Sequence, residues 1–448
     1  MMLQRAPLCR LPVASPRLDG TTAGRMFHTV NAFRPHRDPM SDSPLPRAAG
    51  AALEAALRVF PVVVVIGARQ TGKSTLVQSL PALKGHAYRT LDDPELRDQA
   101  RRDPASVLAY ARNLILDEVQ RAPDLLSAVK LAVDRDRPRL PGRYVLTGSA
   151  NLLLMERVSE SLAGRAAYLR LWPLTRRERL GLGAAGIWSE LLDAPPEDWD
   201  AIVRQQDLPA DDWQRVVAEG GLPVPAHELD TDEARARWFD GYVETYLERD
   251  LQVLARIEDL GDFRRLMQAV ALRLGQVVHQ ADLARDVGLS RPTAHRWLNL
   301  LETSFQLVRV GAYAVNRTKR LVKSPRMYWS DVGLARHIAG GEPAGAHLEN
   351  FVLTDLVVWR ELVTPRPEIH YWRTVNGEEV DFVIETGRRL LPIEVKATSR
   401  PAYHDARHLL TFRREYGAAV HGGLLLHTGE ETFWVAEGIL AAPWWLAV

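Results

Sequence analysis

Cysteine is almost missing from this chain: Cys9 is the one cysteine among 448 residues. Disulfides and cysteine-based metal sites are thereby excluded, and the composition suits a reducing, cytoplasmic compartment. Lysine is nearly as scarce. Of 57 basic residues only six are lysines, at Lys73, Lys84, Lys130, Lys319, Lys323 and Lys396, so each stands out against a background of arginine. No apolar run approaches the ~18 residues of a membrane span, which predicts no membrane segment. An excess of one charge is lacking too. The net charge is +1, so any contact with nucleic acid must come from local patches.

What is present describes an ordinary soluble protein, 46% hydrophobic and 25% charged. The length accommodates roughly two to four domains, each with its own core. Residues 1–48 are rich in Pro, Arg and Ser and lack apolar periodicity, which predicts an unstructured extension. Its arginines and lack of Glu and Lys superficially resemble a transit peptide. A start codon placed too early is the plainer reading, because Met26 and Met40 lie within it.

The informative stretch is GARQTGKST: Gly67, Ala68, Arg69, Gln70, Thr71, Gly72, Lys73, Ser74 and Thr75. It fits G-x-x-x-x-G-K-[ST] in the required context. A β-branched run, Pro61 to Ile66, precedes it, and residues at helical spacing follow. Glycines let successive N–H groups converge on one spot, where the helix dipole adds partial positive charge. Lys73 then reaches the β- and γ-phosphates, and the Ser74 hydroxyl ligates Mg²⁺. This predicts a triphosphate site with ATP and Mg²⁺; a glycine-rich turn before an ordinary helix is the bland alternative.

A second strand, Asn113 to Leu116, ends in Asp117 and Glu118. Asp117 would hold the Mg²⁺ and Glu118 would polarise the attacking water. A third strand, Arg143 to Thr147, runs into Gly148-Ser149-Ala150-Asn151, where Thr147 and Ser149 are candidates to feel the γ-phosphate. A simple polar turn is the other reading. Arg165 follows in Leu162-Ala-Gly-Arg165. It is a candidate to reach the transferring phosphate from its own subunit or a neighbour, or else one more arginine on a solvated face.

Together, GARQTGKST, Leu91 to Pro94, LILDEVQ, LTGSAN and LAGR resemble, in this order, the AAA-type ATPases of a bacterial and archaeal family whose C-terminal domain has no assigned function. Gly220-Gly-Leu-Pro223 and Tyr242 to Asp250 resemble it as well, and the likeness covers nearly all of residues 50–448. Tyr242, Thr245, Tyr246 and Arg249 fall on one helical stripe, for which a lid or bridging role is expected.

Residues 276–330 read as a winged helix-turn-helix: a helix Gln280 to Val287, a turn with Ser290 as N-cap, and a second helix Arg291 to Leu301. The wing would be Gln306 to Tyr313 and the following strand. Asn316 to Arg326 carries five positive residues and no acid, a patch able to hold several phosphates of DNA. Winged helices also dock proteins, so DNA and protein remain alternative partners.

From about Pro343 a second constellation appears. Glu349 lies on a helix, Ala346 to Glu361. Asp381 lies on a strand that pairs with Tyr371 to Thr374 across the Asn376-Gly377 turn. Glu394 and Lys396 share one face of a further strand. An Asp, a Glu-x-Lys thirteen positions later and a helical Glu upstream resemble the PD-(D/E)XK nuclease core, with Val380 where that core commonly has Pro. The resemblance implies that Glu349, Asp381 and Glu394 hold Mg²⁺ and that Lys396 orients or deprotonates water.

The expected architecture is α/β in several parts: an extension (1–48), an AAA-type P-loop core with a parallel sheet (49–175), a helical lid (176–275), a winged helix (276–335) and a restriction-endonuclease-like domain (336–448). The expected activity is Mg-dependent ATP hydrolysis applied to DNA, in a possible homo-oligomer. The rival is a nucleotide-switched scaffold with an inactive nuclease-like domain.

Overall fold

The computed structural model describes residues 44–136, 138–149, 162–250, 257, 259–315, 323–387 and 389–448, without the side chains of 248–250. The extension 1–43, Ala150 and Asn151, residues 316–322 of the basic segment and the Arg249 side chain lie outside the described residues.

The run Val62–Gly67 forms β1, every residue of it buried. Its valines suit a strand covered on both faces, where branched side chains pack well against neighbours. Around it lie β2 (Ala87–Thr90), β3 (Leu114–Asp117), β4 (Tyr144–Ser149) and β5 (Ala166–Arg170), in the order β2-β3-β4-β1-β5 with every pairing parallel. Ligands of such sheets bind beyond the carboxyl ends of the strands. GARQTGKST leaves β1 at that end and enters the helix Lys73–Ser79.

Helices follow, with Trp188, Trp199 and Phe239 buried among them. The Gly220-Gly221 pair has a specific cause. Asp331 caps the helix Val332–Ala339 at Leu334 N, and its carboxylate also accepts from Gly221 N (2.7 Å) and Leu222 N (2.8 Å). A Cβ on Gly220 would lie 2.6 Å from an Asp331 oxygen, and one on Gly221 would lie 2.6 Å from Leu174 O.

The helices Gln280–Asp286 and Arg291–Thr303 form where the sequence places them, with Ser290 capping the second through Thr293 N. A hairpin follows: β6 (Leu307–Ala312) pairs antiparallel with β7 (Arg326–Trp329). It does not stand apart as a wing. β6 also pairs, in parallel, with β8 (Glu368–Arg373), which joins the hairpin to a sheet containing β9 (Glu379–Thr386), β10 (Arg389–Lys396), β11 (Gly423–His427), β12 (Phe433–Ala436) and β13 (Ile439–Pro443). Its order is β12-β13-β11-β10-β9-β8-β6-β7.

The helix Gly345–Leu362 is apolar on nearly every side and is buried accordingly. Among the described residues, no helix is long and apolar enough to cross a membrane. One apolar cluster runs from Val62, Leu116 and Leu146 of the first sheet through Trp188 to Leu348, Phe382 and Trp444. Polar bonds reinforce this join: Arg176 and Arg177 donate to the carbonyls of Trp445 and Leu446 at 2.9 Å, and Trp188 Nε1 donates to Asp355 at 2.6 Å.

Asp355 also accepts from Gly186 N and is only 2% exposed. Burial, partly offset by these donors and by Arg177, pushes its pKa up to about 6. Because the folded value lies above the unfolded one, the contribution is fully present below about pH 4 and is lost as pH rises through 6, on the order of 3 kcal/mol. Asp355→Asn should abolish that loss. In thermal denaturation from pH 4 to 8, the melting temperature of the variant minus that of the parent should climb with pH; a flat difference refutes the assignment.

Candidate nucleotide site and carboxylate cluster

The loop after β1 is shaped by steric necessity. A Cβ on Gly67 would lie 2.2 Å from Leu171 O, and Gly72 has φ +87°. Gln70 is left-handed as well, at φ 60°, a conformation that costs energy outside glycine and gathers at functional sites. Thr71 Oγ1 ties the curl to Ala68 O at 3.0 Å. Beneath it Arg47 donates to Thr71 O and Trp172 O, each at 2.7 Å, and pairs with Glu178.

Lys73, 6% exposed, rests its ammonium on the carbonyls of Ala68 (2.7 Å) and Gly67 (3.3 Å). Burial lowers its pKa to about 8, against the opposing pull of Glu118 and Asp117. Arg69 stacks over the Tyr246 ring, Tyr242 OH donates to Arg69 O, and Thr75 is exposed in the first turn of the helix.

Asp117, at the carboxyl end of β3, gathers the donors. Ser74 Oγ lies 3.0 and 3.1 Å from its two oxygens, Tyr88 OH donates at 2.6 Å, and Thr147 Oγ1 donates from β4. A hydroxyl and a carboxylate side by side are oxygen donors of the kind Mg²⁺ takes. Thr147, expected to face a γ-phosphate, is instead fully buried against Asp117. Glu118, left-handed at φ 57° and half-buried, accepts from Gln120 Nε2, which also donates to Ser149 Oγ at 2.9 Å. Burial raises the pKa of Glu118, with Lys73 pulling the other way.

Arg165 is elsewhere. Its neighbour Ala166 pairs with Val62 at the amino end of β1, opposite the loop, and its guanidinium is paired with Asp134 at 2.7 and 2.9 Å. Parallel strands put the two ends several residues apart, so Arg165 does not reach the loop of its own chain.

In the second sheet, Glu394 and Lys396 share a face as the period of two requires, and are bonded at 2.6 Å. Glu394 is 2% exposed, its Oε2 has no hydrogen-bond partner, and burial together with Asp381 pushes its pKa well up. Lys396 is held protonated by Glu394 in spite of burial, which suits charge neutralisation better than proton abstraction. Asp381 accepts from Val395 N at 2.9 Å.

Arg326 departs from the sequence reading. It was expected in a solvent-facing basic patch, yet it is 3% exposed. Its Nη1 donates to Glu349 (3.1 Å) and Asp381 (3.2 Å), and its Nη2 pairs with Glu379 at 3.0 Å. The cause is register: Arg326 opens β7 and faces inward, over the Tyr371 ring. Burial opposes the charge, but Tyr328, Glu349, Asp381 and Glu379 hold its pKa above the ordinary value. Tyr328 OH also donates to Glu349, whose pKa is raised to about 8, chiefly by burial and then by Asp381.

Glu349, Asp381 and Glu394 are therefore neighbours without forming a ready cage. Among the described residues, the grouping of three such ligand atoms within 4.8 Å of one another is Glu368, His370 and Glu385. Tyr88, Gln120 and Glu379 were not singled out from the sequence, and Arg326 was read there only as part of the basic patch. Gln120 alone had a signal, standing two residues from Glu118.

Residues 59–180 match a family model described as AAA domain, and residues 344–447 match the Domain of unknown function (DUF4143). Residues 210–344 match the Domain of unknown function (DUF8612). An uncharacterised protein of Mycobacterium tuberculosis is 31% identical over 411 residues, covering 89% of this chain and 83% of that protein. One of Haemophilus influenzae is 20% identical over 310 residues, covering 67% and 70%. Among solved structures, the Walker-type ATPase of Pyrococcus abyssi aligns at a TM-score of 0.39 and 16% identity, over 65% of this chain and 98% of that one. RuvB of Thermotoga maritima aligns at 0.27 and 20%, over 58% and 88%.

The crowding at Gly67 gives a direct check on the loop. Gly67→Ala should destabilise the protein by about 1–3 kcal/mol and weaken nucleotide affinity, read by thermal denaturation and calorimetry. If both stay unchanged, the close approach to Leu171 O is not a constraint.

Proposed function

This chain belongs to the family that joins an AAA domain to the DUF4143 domain, and from that premise we propose that it binds and hydrolyses ATP with Mg²⁺ and applies the resulting change of shape to DNA. The AAA-type P-loop fold rests on the matched domain and the parallel sheet. The observation that carries the hydrolytic reading is the meeting of Lys73, Ser74, Asp117 and Glu118 at the carboxyl end of β1 and β3.

In this reading the amides of Gly67 to Thr75 and the Lys73 ammonium bind the β- and γ-phosphates. Ser74 and Asp117 hold Mg²⁺, which when bound offsets charge on the phosphate oxygens. Glu118 accepts a proton from the attacking water. Its raised pKa makes it a stronger base than an ordinary carboxylate, and Gln120 with Ser149 positions it. Arg165 can serve only a neighbouring subunit's phosphate, which accords with a homo-oligomer.

The helices Gln280–Asp286 and Arg291–Thr303 support the helix-turn-helix part of a winged-helix reading and DNA as partner. The division into P-loop core (49–175), helical lid (176–275), winged helix (276–335) and nuclease-like domain (336–448) belongs to the same proposal. Glu349, Asp381 and Glu394 would hold Mg²⁺ on a phosphodiester while Lys396 neutralises charge. The donor set suits a hard cation, and the unpartnered Glu394 Oε2 is a free ligand atom. The pairing of Arg326 with Glu349 and Asp381 is what favours the second reading, a nucleotide-switched protein whose C-terminal core binds without cleaving.

Lys73→Ala should abolish ATP binding in calorimetry. Glu118→Gln should bind ATP yet release phosphate at least about 100-fold more slowly; turnover at the parent rate refutes Glu118 as base. Asp381→Asn should remove any Mg- or Mn-dependent plasmid cleavage while sparing ATP hydrolysis. A parent protein that hydrolyses ATP but never cuts DNA favours the second reading.

A further inference from the structure

We propose that Arg326 is a built-in competitor for the divalent cation of the carboxylate cluster, so that the metal enters only as the guanidinium leaves. This rests on the reading of Glu349, Asp381 and Glu394 as a cation-binding set, and adds to it a device that closes the set.

Three observations carry it. First, a single nitrogen, Arg326 Nη1, sits within 3.2 Å of both Glu349 and Asp381. A Mg²⁺ ion touching the same two oxygens needs contacts of about 2.1 Å. It would press into that nitrogen, one cation against another, so the two cannot share the position.

Second, Arg326 is the cation that Glu349, Glu379 and Asp381 share, while Glu394 is paired with Lys396. Glu394 Oε2, buried and without a hydrogen-bond partner, leaves one ligand atom of the cluster open. Buried carboxylates left unpaired are costly, which holds the arginine in place until a stronger cation replaces it.

Third, the arginine reaches the carboxylates through a long side chain from a strand that is itself fixed. β7 pairs with β6 along one edge, and Gly275 N and Val278 N donate to Met327 O and Pro325 O along the other. The Tyr371 ring, whose centroid is 5.1 Å from the guanidinium carbon, already flanks it as a cation–π partner and remains within reach as Nη1 swings away. Withdrawal therefore needs only a change of side-chain path, with the sheet intact.

A binding-competent form populated at one part in ten or less weakens the apparent affinity tenfold or more. Mn²⁺ titrations of the full chain, followed by calorimetry and by the paramagnetic resonance of free Mn²⁺, read this directly. Arg326→Gln should bind Mn²⁺ at least about tenfold more tightly than the parent. Arg326→Lys, which keeps the charge but loses the fork, should fall between the two, and it also serves if the glutamine variant fails to fold.

Equal or weaker binding by a folded Arg326→Gln overturns the inference, as does an Arg326→Lys that matches the parent. The metal reading survives that result if parent binding disappears in Asp381→Asn. Absence of Mn²⁺ binding at the cluster in parent and both variants overturns the inference and the metal reading together.

Discussion

The carboxylate of Asp117 is the fixed point of the candidate nucleotide site. Ser74 from the helix after the loop, Tyr88 from β2 and Thr147 from β4 all donate to it. Three separate segments are thereby held to the end of β3. Donors converging on one carboxylate fix its orientation. The loop itself adds a steric constraint, since β1 passes so close to Leu171 that only glycine fits at position 67.

From this point the structure is continuous toward the second sheet. Tyr242 touches the loop through Arg69 O, and Gln306 Nε2 donates to the same Tyr242 hydroxyl at 3.4 Å. Gln306 stands at the root of β6, and β6 carries β7, whose first residue is Arg326. A shift of the loop therefore has a physical neighbour to push against.

Much of the first sheet was legible because its signals are contiguous. A glycine loop needs its residues in one short run, and the strand before it needs branched side chains, so both are written locally. The same holds for Glu394 and Lys396, two residues apart on one strand. Glu349 and Asp381 were legible only through a resemblance. Tyr88 and Arg326 were not, because their roles come from tertiary register. Tyr88 meets Asp117 across a strand pairing, and Arg326 is one of many arginines until β7 turns it inward. Its charge suggested phosphate contact, whereas its burial assigns it to carboxylates. Thr147 shows the converse: the right residue at the right strand end, with its hydroxyl already occupied by Asp117.

The apolar cluster that runs from β1 through Trp188 to Trp444 bears on how the protein can be handled. Severing the chain between the two sheets would bare matching greasy surfaces on both fragments, and isolated pieces would tend to clump. Laboratory dissection into two isolated halves, one for each sheet, therefore runs against the grain of the molecule. Point substitutions in the intact polypeptide are the gentler tool.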